Sequence, residues 1–138
     1  MKVVVTGGAG FIGSNLTDEL ARDHEVTVID NLSTGRIENL DHIRDRIQFI
    51  NGSILDLDLL RRAFAGADTV FHQAAIPSVQ RSVDNPIASN QANVDGTLNV
   101  LVAAKDSRVR KVVFASSSSV YGDTPILPKK EDMKPNPK

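Results

Sequence analysis

The sequence predicts a doubly wound α/β domain, with a parallel β-sheet covered by helices on both faces. Three observations support this prediction. Short apolar runs alternate with longer amphipathic segments along the 138 residues, which is the pattern of repeated β-α-β units. The runs are almost continuously apolar, as expected for strands buried on both faces. Each run ends in a polar or glycine-rich loop, so these loops are predicted to meet at the carboxyl edge of the sheet.

Five apolar runs are predicted to be strands. Right-handed crossovers between them favour the strand order 3-2-1-4-5. The ligand is then expected above the carboxyl ends, at the switch between strands one and four. The predicted strands are Lys2 to Thr6, Glu25 to Asp30, Ile47 to Asn51, Thr69 to His72 and Lys111 to Ala115.

Four segments between the strands are predicted to be helical. A weakly patterned one covers Ile37 to Arg44, and Asp56 is a good N-cap for the next. Proline suits the first turn of the last helix. The connection Gln73 to Pro86 is predicted to be an irregular loop. The other helices are Phe11 to Arg22, Leu57 to Phe64 and Pro86 to Ser107.

A glycine-rich turn joins the first strand to the first helix. Its spacing predicts a tight turn at Gly7, close approach of a pyrophosphate at Gly10 and close helix packing at Gly13. The free amides of the helix N-terminus then face the anion. Strand before, helix after and an acid on the next strand together predict a Rossmann-type dinucleotide site. Phe11 and Ile12 complete the predicted pyrophosphate contacts.

Asp30 ends the second strand and is predicted to accept hydrogen bonds from the adenosine ribose. Its charge would repel a 2′-phosphate, so NAD is expected rather than NADP. Arg36 could serve such a phosphate, but a solvated surface arginine is the favoured interpretation. The turn-rich loop after the strand supplies four more predicted cofactor contacts: Asn31, Ser33, Thr34 and Gly35.

Loops after the third and fourth strands face the same predicted cleft. Ser53 and Ile54 are candidates for cofactor contacts. The small residues of Gln73-Ala74-Ala75 let a dinucleotide lie against the backbone, unless they serve strand–helix packing. Asn93, inside the last helix, is predicted to bond either the strand-four loop or the ligand, with a solvated side chain as the alternative. His72 is interpreted as a satisfied core or loop histidine.

A run of four serines, Ser116 to Ser119, follows the fifth strand. A serine run is usually a polar turn. At a strand end that faces a cofactor, its hydroxyls can orient a substrate hydroxyl because each both donates and accepts. The sequence shows no His, Cys, Asp and Glu spacing typical of a metal site and no Ser-His-Asp set.

Composition limits the partners and the compartment. The net charge of −1 gives no indication of a nucleic-acid or membrane partner. The absence of cysteine is compatible with a reducing cytoplasm. Residues 1–122 are predicted to form the dinucleotide-binding domain. Residues 123–138, with four prolines and four lysines, are predicted to be an extended segment of a protein that continues further.

Several motifs occur together in a recognisable order. The chain resembles the extended short-chain dehydrogenase/reductase family, and within it the UDP-hexose 4-epimerases of the UDP-glucose and UDP-N-acetylglucosamine types. Ser78 to Val83 leans toward the acetamido type. The motifs that carry the resemblance are Thr6 to Gly13, Asp30-Asn31, His72 to Ala75, Asn93 to Thr97 and Ser116 to Gly122.

The resemblance implies a tightly held NAD that takes a hydride from sugar C4 and returns it to the opposite face. It implies a cytoplasmic homodimer of nucleotide-sugar metabolism with a UDP-hexose substrate. The acid/base of the family is a Tyr-x-x-x-Lys pair, which does not occur here. The helper hydroxyl falls on Ser117, with Ser118 as second candidate, and Tyr121 is not the base. We therefore expect an N-terminal fragment that is inactive alone.

One departure and two alternatives belong to this resemblance. The family carries an acid that reads the adenine amino group where this chain has Ser53. A nucleotide-sugar 4,6-dehydratase or decarboxylase relative would carry an acidic residue just after the helper, where Ser118 and Ser119 stand. The second alternative is a non-catalytic NAD-binding regulatory module, which the missing Tyr-x-x-x-Lys would fit.

Overall fold

A five-stranded parallel sheet in the order β3-β2-β1-β4-β5 forms the centre of the molecule. It is seen in a computed structural model that describes residues 1–137. The expected fold class and strand order are confirmed. The strands are β1 (Lys2–Thr6), β2 (Glu25–Asp30), β3 (Ile47–Asn51), β4 (Thr69–His72) and β5 (Lys111–Phe114).

Helices of three kinds connect the strands. Two are 3₁₀ helices, one before β3 and one after β5, and a π-helical segment lies inside the longest helical stretch. No helix within residues 1–137 has the length and apolar character needed to cross a membrane. In chain order the helices are α1 (Phe11–Leu20), a 3₁₀ helix (Ile37–Arg46), α2 (Leu57–Phe64), α3 (Val79–Asp84), α4 (Pro86–Asn90), a π segment (Gln91–Asp95), α5 (Gly96–Asp106) and a second 3₁₀ helix (Ser118–Tyr121).

The two faces of the sheet bury separate apolar clusters. Side chains alternate along a strand, so Val4 packs with Phe64 of α2 and Val100 of α5 on one face. Val3 and Val5 pack on the other face against α1 and the first 3₁₀ helix. Full burial of an apolar side chain of this size stabilises the fold by about 2 kcal/mol. The strands are thereby held rigidly enough to position the loops at their carboxyl ends.

Two helical predictions were wrong in detail. The connection Gln73 to Pro86 is not wholly irregular, because it contains the short helix α3, whose N-cap Ser78 accepts a hydrogen bond from the Arg81 N–H. The predicted long helix is divided by the Gln91–Asp95 π segment. Such bulges widen the backbone by one residue and occur often at functional sites. The helix predicted over Ile37 to Arg44 is a 3₁₀ helix that continues to Arg46, and α1 and β5 end two residues and one residue earlier than predicted.

The segment after Gly122 contains no helix or strand up to residue 137. It turns back on itself rather than leaving the domain: the Asn136 N–H donates to the Val120 carbonyl at 2.9 Å. The Lys129 ammonium donates to the carbonyls of Gly122 and Thr124 at 3.3 and 3.4 Å. The division at residue 122 into a domain and a trailing segment stays a prediction.

His72 links three elements beneath the carboxyl edge of the sheet. The ring is 2% exposed. Its Nδ1 lies 2.7 Å from Thr6 Oγ1 of β1, and its Nε2 lies 2.9 Å from Thr97 Oγ1 of α5. The Thr97 hydroxyl donates its proton to the Asn93 carbonyl at 2.8 Å. Thr97 must therefore accept from Nε2–H, which leaves Nδ1 to accept from Thr6.

Burial of the His72 ring lowers its pKa from 6.5 to about 4. The folded state therefore holds a neutral ring, whereas the unfolded chain takes up a proton as the pH falls below 6.5. We expect the unfolding free energy to drop between pH 6.5 and 4, by up to about 3 kcal/mol from this residue. Urea titrations over this range measure it. A His72→Gln variant should show a shallower slope, and an equal slope would contradict the assignment.

Candidate functional site

A cleft of about 860 Å³ lies over the carboxyl ends of all five strands. It is lined by residues from each strand-end loop and by part of α4 and the π segment. Fifteen of the predicted site residues line it, whereas Gly35, Asn93 and Ser118 are not among the lining residues. The fifteen are Gly7, Gly10, Phe11, Ile12, Gly13, Asp30, Asn31, Ser33, Thr34, Ser53, Ile54, Gln73, Ala74, Ala75 and Ser117.

The glycine turn after β1 is packed too tightly for side chains at two of its positions. Gly7 has a φ of +73°, and a β-carbon there would lie 2.6 Å from the Ala74 nitrogen. A β-carbon at Gly13 would collide with the Gly7 carbonyl. The turn therefore lies directly against the β4 loop and under the first turn of α1. Its shape requires glycine, independent of any ligand.

Gly10 differs from Gly7 and Gly13. Its φ of −74° suits any residue, and an added β-carbon would meet the Gly7 carbonyl at 3.3 Å and no second atom within 4 Å. Gly10 lines the cleft, so the space that its missing side chain leaves is cleft space. This open cradle, which a β-carbon would fill, has the shape needed by a group that approaches the backbone closely.

The first turn of α1 presents its backbone amides to the cleft. Its N-cap is Gly10, and no side chain caps it within the described residues. The side chains of Phe11 and Ile12, 84% and 67% exposed, border the same opening. Uncapped amides and the positive end of the helix dipole favour an anion at this place.

Asp30 joins the glycine turn to the end of β2. The residue is 8% exposed. Its Oδ2 accepts a hydrogen bond from the Ala9 N–H at 2.9 Å, and its Oδ1 accepts one from the Leu32 N–H at 2.8 Å. A carboxylate offers about four lone-pair positions, so two stay open to hydroxyl donors from the cleft.

The segment after Asp30 is folded onto the glycine turn. A β-carbon at Gly35 would lie 2.9 Å from the Ala9 carbonyl carbon and 3.0 Å from Asp30 Oδ2. The Ala9 carbonyl accepts from the Arg36 N–H at 3.0 Å and from Asn39 Nδ2 at 2.9 Å. Gly35 thus packs against the glycine turn and does not form part of the cleft wall. Asn39 was missed by the sequence analysis, because a helical Asn so far from the turn carries no local signal.

Asn93 fastens the loop after β4. Its Oδ1 accepts from the Ile76 N–H at 2.8 Å, and its Nδ2 donates to the Ile76 carbonyl at 3.2 Å. Of the interpretations left open by the sequence, the structure supports bonding to the β4 loop. The same loop places Ile76 and Pro77 on the cleft wall, which the sequence analysis did not single out.

The serine loop brings Ser116 and Ser117 to the cleft. Ser117 lines it and caps the second 3₁₀ helix, accepting from the Ser119 N–H at 3.2 Å. Its hydroxyl lies 3.1 Å from Ser119 Oγ. Ser118 is the first residue of that helix and does not line the cleft. Of the two candidates for a substrate-orienting hydroxyl, the geometry favours Ser117.

Comparison with known proteins yields matches along nearly the whole chain. Residues 3–138 match the NAD dependent epimerase/dehydratase family. A UDP-glucose 4-epimerase of Mycolicibacterium smegmatis is 47% identical over an alignment of 143 positions, which covers 99% of this chain and 45% of that protein. The chain thus spans less than half the length of this relative.

Solved structures agree with the sequence matches. The UDP-N-acetylglucosamine 4-epimerase of Methanobrevibacter ruminantium, in complex with UDP-N-acetylmuramic acid, has a TM-score of 0.89 at 44% identity, covering 99% of this chain and 44% of that one. The Thermus thermophilus UDP-glucose 4-epimerase in complex with NAD has a TM-score of 0.88 at 41% identity, covering 100% and 45%. With the family match over residues 3–138, we conclude that this chain belongs to the NAD dependent epimerase/dehydratase family.

Proposed function

We propose that this chain is the NAD-binding part of a UDP-hexose 4-epimerase. The observation that carries the proposal is the cradle at Gly10, open to the cleft between an uncapped helix N-terminus and the Asp30 carboxylate. These are the features a dinucleotide needs: room for the pyrophosphate, donors for its charge and an acceptor for the ribose. A Thermus thermophilus relative of 41% identity is a 4-epimerase with NAD.

Each part of the cleft has a proposed binding role. The amides at Gly10, Phe11 and Ile12 bind the pyrophosphate, while Gly7 and Gly13 shape the turn that presents them. Asp30 accepts from the adenosine ribose. The remaining cofactor contacts are proposed from their positions in the cleft wall: Asn31, Ser33, Thr34, Ser53, Ile54, Gln73, Ala74 and Ala75. Gly35 and Asn93 are proposed to act indirectly, by holding the glycine turn and the β4 loop in place.

The chemistry is proposed to occur beside Ser117. NAD, when bound, supplies the hydride acceptor for oxidation at sugar C4. The Ser117 hydroxyl orients the C4 hydroxyl, since it can accept from the substrate while its own proton stays bonded to Ser119. A serine hydroxyl is too weak a base to take that proton near neutral pH. The base must be a group this chain lacks, because its single tyrosine, Tyr121, has no lysine four residues later.

The substrate, the oligomeric state and the compartment are proposed as well. We infer a UDP-hexose, with or without an acetamido group, because both types occur among the relatives. A nucleotide-sugar dehydratase or decarboxylase is disfavoured because the positions just after Ser117 are Ser118 and Ser119 rather than an acid. We infer a homodimer because α4, the π segment and α5 expose Ile87, Val94 and Leu98 by 57 to 70%. A cytoplasmic role in carbohydrate metabolism follows from the substrate, and the cysteine-free sequence is compatible with it. We propose no nucleic-acid partner.

Replacing Gly10 by valine tests the pyrophosphate cradle. The φ of −74° accepts valine, so the variant should fold, while its methyls occupy cleft space. We expect the Kd for NAD to rise by about 100-fold or more, equivalent to loss of two or three good hydrogen bonds. Isothermal titration measures it, with the exposed and distant Ala65→Val as matched control. Unchanged affinity for NAD in a folded Gly10→Val protein would refute the proposal that the pyrophosphate binds at Gly10.

The choice between NAD and NADP tests Asp30. We expect NAD to bind at least about tenfold more tightly, because a buried carboxylate repels the 2′-phosphate. Titration with both dinucleotides measures this ratio. Arg36→Ala is the control: the backbone N–H of Arg36 holds Ala9, so removing the side chain should leave the ratio unchanged. If NADP bound as tightly as NAD, and Arg36→Ala removed that binding, Arg36 rather than Asp30 would determine the choice of cofactor.

Interconversion of UDP-sugars tests the function itself. We expect no turnover by this chain with NAD and UDP-glucose or UDP-N-acetylglucosamine, and turnover by a version extended through a Tyr-x-x-x-Lys segment and a sugar-binding region. In the extended protein, Ser117→Ala should lower kcat by about 100-fold, within the usual range for lost acid–base assistance. Ser118→Ala should lower it by less than about threefold. Turnover by the present chain, or a larger loss for Ser118, would contradict these assignments.

A further inference from the structure

The loop Gly52–Asp56 forms the cleft wall beside Asp30. The Gly52 N–H donates to the Asp30 carbonyl at 3.1 Å, and Gly52 to Leu55 line the cleft. A ribose held by Asp30 therefore places its base against this loop, because β3 is the next strand in the sheet. The inference below rests on the proposed binding of NAD and concerns how its purine is recognised.

Three carbonyls of this loop, those of Ser53, Ile54 and Leu55, accept hydrogen bonds from within the protein. The Ser53 carbonyl accepts from the Asp56 N–H at 3.1 Å. The carbonyls of Ile54 and Leu55 both accept from Asn99 Nδ2 of α5, at 3.2 Å each. These three carbonyls are thus already hydrogen-bonded inside the protein.

Packing on α5 maintains this arrangement. Ile54 is 8% exposed, and a β-carbon at Gly96 would overlap its side chain. Glycine at this helical position lets the loop lie against the helix, within reach of the Asn99 amide. The loop therefore cannot turn its carbonyls toward a base without losing both the Asn99 bonds and the burial of Ile54.

Ser53 is the polar side chain that this loop leaves at the cleft. Its Oγ accepts from the Leu55 N–H at 3.1 Å, which uses one of two lone pairs and leaves the hydroxyl proton free. Such a hydroxyl can accept from an amino group or donate to an oxo group. A carboxylate at the same position would accept from an amino group and repel an oxo group.

We propose that Ser53 makes this site indifferent to the substituent at purine C6, so that a 6-amino and a 6-oxo group are held with similar strength at this position. The base is recognised by its shape against the loop, and Asp30 and the glycine turn bind the ribose and the pyrophosphate. The chemical class of ligand is thus a purine nicotinamide dinucleotide rather than an adenine dinucleotide alone.

Titration of the chain with NAD and with nicotinamide hypoxanthine dinucleotide tests the proposal. The two ligands differ at purine C6 and the neighbouring ring nitrogen. The ratio of their Kd values therefore reports how the protein contacts that edge of the base. We expect this ratio to lie within about fivefold for the native chain. A preference for NAD larger than this would overturn the proposal. Failure of NAD itself to bind would instead refute the proposed function.

Two variants test whether Ser53 is responsible for the indifference to the C6 substituent. Ser53→Asp can keep the turn to Leu55 while adding a carboxylate acceptor, and it should favour NAD over the hypoxanthine dinucleotide by more than about fivefold. Ser53→Ala, the neutral control, should weaken both ligands alike and leave the ratio unchanged. Circular dichroism verifies that each variant is folded. A folded Ser53→Asp protein with an unchanged ratio would show that Ser53 does not face the C6 edge.

Discussion

The hydrogen bond from the Ala9 N–H to Asp30 Oδ2 is the contact on which the candidate site depends. It is 2.9 Å long and buried, and hydrogen bonds to a carboxylate are among the stronger ones in proteins. It connects the turn after β1 with the end of β2. The acid proposed to bind the ribose therefore also positions the turn proposed to bind the pyrophosphate, so the two halves of the site cannot move independently.

Other contacts extend this constraint across the cleft. Gly7 lies against Ala74 of the β4 loop, and Asn93 bonds the backbone of Ile76 on the same loop. The His72 ring connects β1 to α5 from below. These short loops are held at one end by a buried strand and at the other by a helix, and two of them are bonded by the side-chain amides of Asn39 and Asn93. A cleft built in this way is formed before a ligand arrives, which reduces the conformational entropy lost on binding.

The sequence predicted the strands well because burial on both faces leaves a continuous apolar run, as in Val26 to Ile29. It predicted the glycine turn because the steric requirement at Gly7 is local. The helices between Gln73 and Ser107 were predicted less well. The short α3 depends on a cap at Ser78, and the π segment accompanies a contact between Asn93 and a loop seventeen residues earlier, which no local pattern records.

By itself, the sequence determined the class of fold, the order of its strands and the loops that line the cleft. These follow from apolar periodicity, glycine spacing and the handedness of β-α-β crossovers. The tertiary structure decided which residues of those loops reach the cleft: Ser117 does and Ser118 does not. It also decided that Asn39 and Asn99 hold the loops from a distance. Such roles depend on contacts between residues far apart in the chain, and only folding brings them together.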